Sequence, residues 1–255
     1  MKFDDTFKVS RWVAYFDLLG FRARAAAVNV GAALGQISEA IYWCRQIDGW
    51  SESLKSVWFS DTFLIVAQDD SAESFWAIET ASRRFASLLL GARIPLRGAI
   101  SCDLLYADFE ERVFVGKALV EAYDYGEGQD WIGLILCPSA SNRLHSLNVA
   151  PPPVHYKSHK IDWTIQEMKE RRPKGAPDEL TACLIGNHSD SCGENSCIFH
   201  LETMLKGSET MPEGIQKENV RRKYERTIDF LRANPRVIPD ELRSVSSKDS
   251  EGPDV

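Results

Sequence analysis

Two apolar runs, each interrupted by one aspartate, dominate the pattern of hydrophobic and polar positions along the chain. The first, residues 13–21, contains Asp17, and the second, residues 57–66, contains Asp61. Both runs are rich in β-branched and aromatic residues, which is typical of strands. An unpaired carboxylate is costly beside a sheet core, but two carboxylates become tolerable when a divalent cation lies between them. Because hard cations such as Mg²⁺ prefer oxygen ligands, Asp17 and Asp61 are our candidate metal site.

The rest of the pattern predicts a β-α-ββ-α-β order followed by a further hairpin, helix and strand. The predicted elements are a strand at 11–17, a helix at 23–47 broken in its middle by Gly31 and Gly35, a hairpin at 55–67, a helix from its N-cap Ser71 to Gly91, a strand at 95–101, a hairpin at 104–115, a helix at 116–125, a strand at 131–137 and a helix from Pro138. The helical spacing of Leu34, Ile37, Ile41 and Cys44 predicts that they face the sheet. This order indicates an α+β, ferredoxin-like fold in which two helices pack on one face of an antiparallel sheet.

The first predicted strand is apolar on both of its faces, so both faces must be covered. If helices of the chain cover one face, a second subunit is the economical cover for the other. We therefore predict a homodimer.

The chain divides at three consecutive prolines, residues 151–153. Its 255 residues suit one large domain with an appendage. We predict a core at 1–150 and an extension packed on it at 151–243, with a helix at 215–233. The segment 244–255 is rich in Ser, Asp and Glu and is predicted to be disordered.

The charge and the termini narrow the class of protein further. The formal net charge of -7 argues against a general nucleic-acid binder. The N-terminus lacks the features of a signal peptide, and no apolar stretch approaches the length of a membrane span. The six scattered cysteines are interpreted as reduced thiols. Together these features predict a cytoplasmic protein that binds neither membranes nor nucleic acids.

Five short motifs follow one another over residues 11–145. They are Phe16-Asp17-Leu18-Leu19-Gly20-Phe21, Phe59-Ser60-Asp61-Thr62-Phe63, Leu96-Arg97-Gly98-Ala99-Ile100, the run 116–123 from Gly116 to Tyr123, and Trp131-Ile132-Gly133. In this order they resemble the catalytic domain of class III nucleotide cyclases. The resemblance implies two ions of Mn²⁺ or Mg²⁺ per site. It implies a metal site at Asp17, Leu18 and Asp61, a substrate site at Phe16, Leu19, Gly20, Phe21 and Arg97, and catalytic roles for Asp17, Asp61 and Arg97.

Four positions depart from the purine cyclases. A lysine and an acid or threonine that read the purine base in that family align with Val57 and Val113. The asparagine and arginine that serve its transition state align with Val120 and Asp124, so either the alignment slips there or another residue supplies the positive charge. With these changes the chain resembles the bacterial pyrimidine cyclases of Pycsar anti-phage defence, in particular the uridylate cyclases.

That resemblance implies a homodimer that converts UTP to 3′,5′-cyclic UMP and pyrophosphate. The product would act on a separate cyclic-nucleotide-sensing effector. A cytidylate or purine nucleotide cyclase is the alternative within the family. A nucleotide-binding module that has kept the fold and lost turnover is the alternative outside catalysis.

Arg97 lies in a predicted strand beside the candidate site. A guanidinium there suits a phosphate or a carbonyl of uracil, and it would match the exocyclic amine of cytosine poorly. The structural alternative is an ion pair with a carboxylate. The sequence leaves both open.

Two further groups of residues carry weaker signals. His188, Cys192, Cys197 and His200 are of the zinc-ligand type, but their spacing fits no standard zinc finger, and ordinary structural positions are preferred. A basic run extends from Lys217 to Arg226 and alternates with glutamates. We interpret it as a solvated helix face.

Overall fold

The computed structural model describes residues 9–21, 30–46, 50–152, 155–161, 172–185, 194–209, 211 and 213–234. Within these residues the strands are β1 (Ser10–Leu18), β2 (Leu54–Phe59), β3 (Thr62–Ala67), β4 (Leu96–Asp108), β5 (Val113–Gly116), β6 (Gly133–Leu136), β7 (Tyr156–Lys160) and β8 (Glu179–Cys183). The helices are α1 (Val30–Arg45), α2 (Trp50–Ser53), α3 (Ala72–Gly91), α4 (Lys117–Glu127), α5 (Pro138–Ser146), α6 (Glu194–Ser208) and α7 (Ile215–Ala233). This is the α+β class that the sequence predicts.

The sheet has the order β2-β3-β1-β4-β6-β8-β7, and β5 pairs with β4 outside this path. Its pairs are antiparallel except that β4 and β6 run parallel. The sheet is therefore mixed, and the prediction of an antiparallel sheet is wrong at this one pair. The parallel pair arises because α4 lies between β5 and β6 and returns the chain across the sheet.

The central strand β1 is buried along residues 11–16. One face packs into a core with α1 and α3, where Phe16 lies against Phe85 with ring centroids 5.3 Å apart and Phe63 stacks on Phe85 at 4.3 Å. Alternate side chains of a strand point to opposite faces, so Asp17 lies on the other face.

Helix α4 covers that other face of β1. Val13 shares a buried cluster with Ala118, and Tyr15 shares one with Ala122. The prediction that burial of β1 calls for a second subunit is therefore wrong, because a helix of the same chain supplies the cover. The ferredoxin-like prediction holds for α1 and α3, which pack on one face of the sheet, and α4 is an additional helix on the other face.

Several predicted boundaries differ from the structure. Helix α1 runs through Gly31 and Gly35 without a break, and Leu34 is exposed while Ile37 and Cys44 are buried. The predicted strand at 95–101 and the first half of the next hairpin form one long strand, β4. Ser71 caps α3 as predicted, since its hydroxyl accepts a hydrogen bond from Ser74 N at 3.2 Å.

The residues after 150 continue the same sheet. Strand β8 pairs with β6, and β7 pairs with β8 at the edge. Helix α7 lies where the sequence predicts it, and its Phe230 packs edge-on against Trp131 at 5.0 Å. The division into a core and an extension stays a prediction, and the segment 244–255 lies outside the described residues. No helix among the described residues is long and apolar enough to cross a membrane.

Candidate functional site

The site begins at the end of β1. Asp17 lies directly opposite Thr62 of β3 on one side and Arg97 of β4 on the other. Its side chain is only 14% exposed. A carboxylate in this position is partly withdrawn from water, so it needs a positive partner.

Asp61 is held in the tight turn between β2 and β3. The pair Phe59 and Thr62 closes this hairpin, which leaves Ser60 and Asp61 as its two-residue loop. Ser60 adopts a φ of 55°, the left-handed conformation that such short loops use. The Asp61 carbonyl accepts a hydrogen bond from Leu18 N at 2.9 Å, so the turn is fastened to the end of β1. The structure thus brings Asp17, Leu18 and Asp61 together.

Arg97 connects Asp17 to the end of α4. Its Nε donates to Asp17 Oδ2 at 2.8 Å, its Nη2 donates to Glu127 Oε2, and its Nη1 donates to the Glu127 carbonyl at 2.7 Å and the Gln129 carbonyl at 3.3 Å. The Arg97 side chain is 8% exposed. Of the two alternatives for Arg97 that the sequence leaves open, this arrangement is the ion pair with a carboxylate.

Glu127 is a residue of this network that sequence reasoning missed. Its Oε1 accepts a hydrogen bond from the Tyr15 hydroxyl at 3.0 Å, in addition to the contact with Arg97. The sequence predicts that the helix ends at Tyr125, whereas α4 continues to Glu127. The signal in the sequence was an acidic residue two positions after the predicted end of this helix.

The environment shifts two ionisation equilibria. Burial raises the pKa of the Asp17 carboxyl, the Arg97 guanidinium opposes that shift, and the negative charges of Glu127 and Asp61 add to it. Burial, together with the charges of Glu127 and Asp17, raises the pKa of the Tyr15 hydroxyl well above its ordinary value. Because neighbouring carboxylates make the Asp17 charge costly, an added cation would stabilise the site.

The donor set fits a hard divalent cation. It consists of carboxylate oxygens, which Mg²⁺ and Mn²⁺ prefer. Among the described residues no group of three or more His, Cys, Asp or Glu side chains is arranged to hold a metal ion. Two carboxylates give an incomplete ligand set, which is the situation in which substrate phosphates complete the coordination.

The predicted substrate-binding residues take different positions. The Phe16 side chain is fully buried in the core on the face away from Asp17, so only its backbone lies near the site. Leu19 N donates to the Pro95 carbonyl at 2.8 Å, and Gly20 adopts a φ of 73° in the exposed turn after β1. Phe21 packs against the core, and residues 22–29 lie outside the described residues.

Of the four positions aligned with base-reading and transition-state residues, three are apolar and two of these are exposed. Val57 is half-buried against the cluster of Tyr15, Leu64 and Ala122. Val113 and Val120 are 42% and 59% exposed. The neighbouring Trp58 donates its indole N–H to the Ser60 carbonyl at 2.6 Å.

The zinc alternative and the basic run have separate outcomes. His188 and Cys192 lie outside the described residues, while Cys197 and His200 lie in α6.

The basic run is not only a solvated face, because Arg222, Lys223 and Arg226 surround the buried carboxylate of Asp130. That prediction is corrected, since a buried carboxylate needs positive partners.

Comparisons with known proteins agree with this arrangement at the level of fold. No protein-family model matches the sequence, and no curated protein matches it. Among solved structures, the chain is similar to the catalytic core of a rhodopsin-guanylyl cyclase with converted specificity in complex with ATPαS. That match has a TM-score of 0.51 and 10% identity, and it covers 69% of this chain and 96% of the other.

A second similar structure is a double mutant of the guanylyl cyclase domain of the RhoGC fusion protein from the aquatic fungus Blastocladiella emersonii. Its TM-score is 0.50 at 10% identity, with 69% of this chain and 94% of that chain covered. The chain therefore has the fold of a class III nucleotide cyclase catalytic domain.

Proposed function

We propose that the protein is a metal-dependent nucleotide cyclase that converts UTP to 3′,5′-cyclic UMP and pyrophosphate. The observation that carries this proposal is the juxtaposition of Asp17 and Asp61, which lie at the end of β1 and in the adjoining hairpin turn of a cyclase fold. A binding module has no need of a carboxylate pair that repels itself in the absence of a cation.

The chemistry is an internal displacement. The ribose 3′-oxygen forms a bond to the α-phosphorus and gives up its proton, while the bond from that phosphorus to the oxygen of the β-phosphate breaks and pyrophosphate leaves. Two divalent cations supply activation of the hydroxyl and neutralisation of the triphosphate when they are bound. Asp17, Leu18 and Asp61 would hold these cations, and β1 and the β2–β3 turn fix the relative positions of the three residues.

The choice of base rests on the absence of polar side chains at two positions that read the base in purine cyclases. Val57 and Val113 have no side-chain group that can donate to or accept from a purine edge, which supports a pyrimidine. Preference for uracil over cytosine is supported by the resemblance alone, because the Arg97 donors are already engaged by Asp17 and by α4. A cytidylate cyclase is therefore the second candidate product class.

A homodimer with composite sites is part of the proposal. Val113 and Val115 of β5 and Val120 and Tyr123 of α4 form what we call the β5–α4 patch. These four side chains are between 42% and 59% exposed. Large apolar side chains grouped on neighbouring elements are a feature of protein interfaces. The patch replaces the burial of β1 as the support for a second subunit.

The resemblance extends the proposal to biology. Cyclic UMP would act as a messenger in anti-phage defence and would bind a separate effector. Since the substrate is a nucleoside triphosphate, we place the reaction in the cytoplasm.

One experiment tests the activity directly. The protein is incubated with an equimolar mixture of ATP, GTP, CTP and UTP and with Mn²⁺, and the products are identified by mass spectrometry. We expect cyclic UMP as the main product and no product when EDTA is added. Cyclic AMP or cyclic GMP as the main product would refute the pyrimidine assignment, and cyclic CMP would refute only the choice of uracil.

Absence of any cyclic product would favour the second class of function, a nucleotide-binding module. The specific observation on its side is that Val120 and Asp124 stand where the family has its transition-state asparagine and arginine. Binding of UTP without release of pyrophosphate would then distinguish that module from an enzyme.

A further inference from the structure

A continuous polar chain connects α4 to the candidate metal site. The Tyr15 hydroxyl donates to Glu127 Oε1 at 3.0 Å, Arg97 donates to Glu127 Oε2, and Arg97 Nε donates to Asp17 Oδ2 at 2.8 Å. The chain crosses β1, α4 and β4, and each of its charged side chains is less than a quarter exposed. Long-lived geometry is expected where such contacts are shielded from water.

The contacts leave one oxygen of Asp17 available. Arg97 donates to Oδ2, and no described residue donates to Oδ1. A guanidinium bonded to one carboxylate oxygen fixes the plane of the group and so the direction in which the other oxygen points. This is how residues behind a metal ligand usually orient it.

The charges add a second effect. Asp17 and Asp61 together carry two negative charges, which match one divalent cation. The Arg97 guanidinium lies next to Asp17 and would cancel half of that attraction. The Glu127 carboxylate, which lies on the far side of Arg97, restores the net negative charge of the group.

We infer that Glu127 is a positioning residue of the metal site: through Arg97 it fixes the orientation of the Asp17 carboxylate, and its charge offsets that of Arg97 so that the site keeps its affinity for a divalent cation. This inference rests on the proposed function. It concerns the affinity for the metal and not the identity of the nucleotide.

The test is the affinity for Mn²⁺ in the absence of nucleotide, measured from the electron paramagnetic resonance signal of free Mn²⁺. Glu127→Gln keeps the shape of the side chain and removes its charge, so we expect affinity to fall by roughly tenfold or more, as is usual when a partner behind a ligand is lost. Glu127→Asp retains the charge and should recover most of the affinity.

Glu121→Gln is the matched control. Glu121 lies in the same helix, is also partly buried, and accepts a hydrogen bond from Ser139 N at 3.2 Å, away from Asp17. Its neutralisation should leave Mn²⁺ affinity within about twofold of the wild type. If Glu127→Gln does not fold by circular dichroism, Tyr15→Phe removes one donor to Glu127, and a loss of about fivefold or more is expected, outside the range allowed to the control.

The possible outcomes distinguish failure of this inference from failure of the proposed function. Wild-type affinity in a folded Glu127→Gln variant, or in Tyr15→Phe where that variant replaces it, overturns this inference and leaves the proposed function standing. An equal loss in Glu121→Gln overturns it as well. Where the wild-type protein needs nucleotide phosphates to bind Mn²⁺, the same variants are compared with 3′-deoxy-UTP present, which supplies the phosphates and cannot cyclise. If the wild-type protein binds Mn²⁺ in neither condition, both the inference and the proposed metal site fall.

Discussion

Arg97 is the residue whose role the structure changes most. The sequence allows it to reach a phosphate or a uracil carbonyl, whereas its donors are engaged by Asp17, Glu127 and Gln129. The cross-strand register explains this outcome, because Arg97 lies directly opposite Asp17 and directly opposed side chains share a face of the sheet. Opposite charges in that position pair unless a stronger partner intervenes.

A substitution of Asp61 tests the proposed metal site at the level of a single residue. Asp61→Asn keeps the size of the side chain and its preference for turns, so the fold should persist. We expect turnover to fall by at least about a hundredfold, because lost electrostatic stabilisation in a catalytic site has effects of that size. The measurement is pyrophosphate release from UTP with Mn²⁺.

Asp108→Asn is its control. Asp108 begins the turn of another hairpin, where its Oδ1 accepts hydrogen bonds from Glu110 N at 2.9 Å and Glu111 N at 2.8 Å. An amide oxygen can accept the same bonds, so activity should stay near that of the wild type. Wild-type turnover by Asp61→Asn would show that the metal assignment is wrong.

Among the secondary-structure elements, α7 shows how the last described part of the chain joins the core. Thr227 of this helix accepts a hydrogen bond from Ile132 N at 2.8 Å, just before β6 begins. Arg222 and Arg226, one turn apart on the same helix, both contact Asp130. Because Asp130 and Thr227 are buried, α7 is fastened by polar contacts as well as by Phe230.

Thr227→Val tests this attachment. Valine has the same shape but leaves Ile132 N–H buried without its acceptor, which costs about 1–3 kcal/mol of unfolding free energy. Urea denaturation gives the difference. Thr203→Val on α6 is the comparison, because the Thr203 hydroxyl donates only to the Phe199 carbonyl of its own helix at 2.7 Å. It should change stability by no more than about 0.5 kcal/mol, and equal losses in the two variants would contradict the proposed attachment.

At the scale of the whole molecule, the exposed β5–α4 patch is the surface on which a second subunit would bind. Helix α4 covers one face of β1 and itself carries part of the exposed β5–α4 patch. One side of this helix therefore serves the core, and the other side is free to meet another molecule. The last residue of the same helix, Glu127, pairs with Arg97. A partner that binds the patch would therefore contact the helix that carries this ion pair.

A double substitution in the patch tests the dimer. Val115→Glu combined with Val120→Glu places like charges across a shared interface, so sedimentation velocity should change from a dimer to a monomer and cyclase activity should fall with it. Leu34→Glu, at an exposed apolar position on α1, should leave the dimer intact. A fully active wild-type monomer would refute the composite site.

Local patterns in the sequence were sufficient for the elements that carry the two aspartates. The hairpin with Asp61 in its turn and the strand that ends near Asp17 depend on residues within a few positions of each other, and both are found as predicted. The N-cap of α3 and the bounds of α7 were predictable for the same reason. Glycines were a poorer guide to where a helix ends, since α1 continues through Gly31 and Gly35.

Contacts between distant residues were decided only by the tertiary structure. Asp17 and Arg97 are 80 positions apart, and their pairing depends on the register of β1 against β4, which no local pattern encodes. The same holds for α4 on β1 and for Glu127 behind Arg97, because these contacts require a helix to return across the sheet. The sequence by itself thus selected Asp17 and Asp61 as the candidate metal site, and the fold determined what surrounds them, because burial and charge pairing depend on neighbours in space.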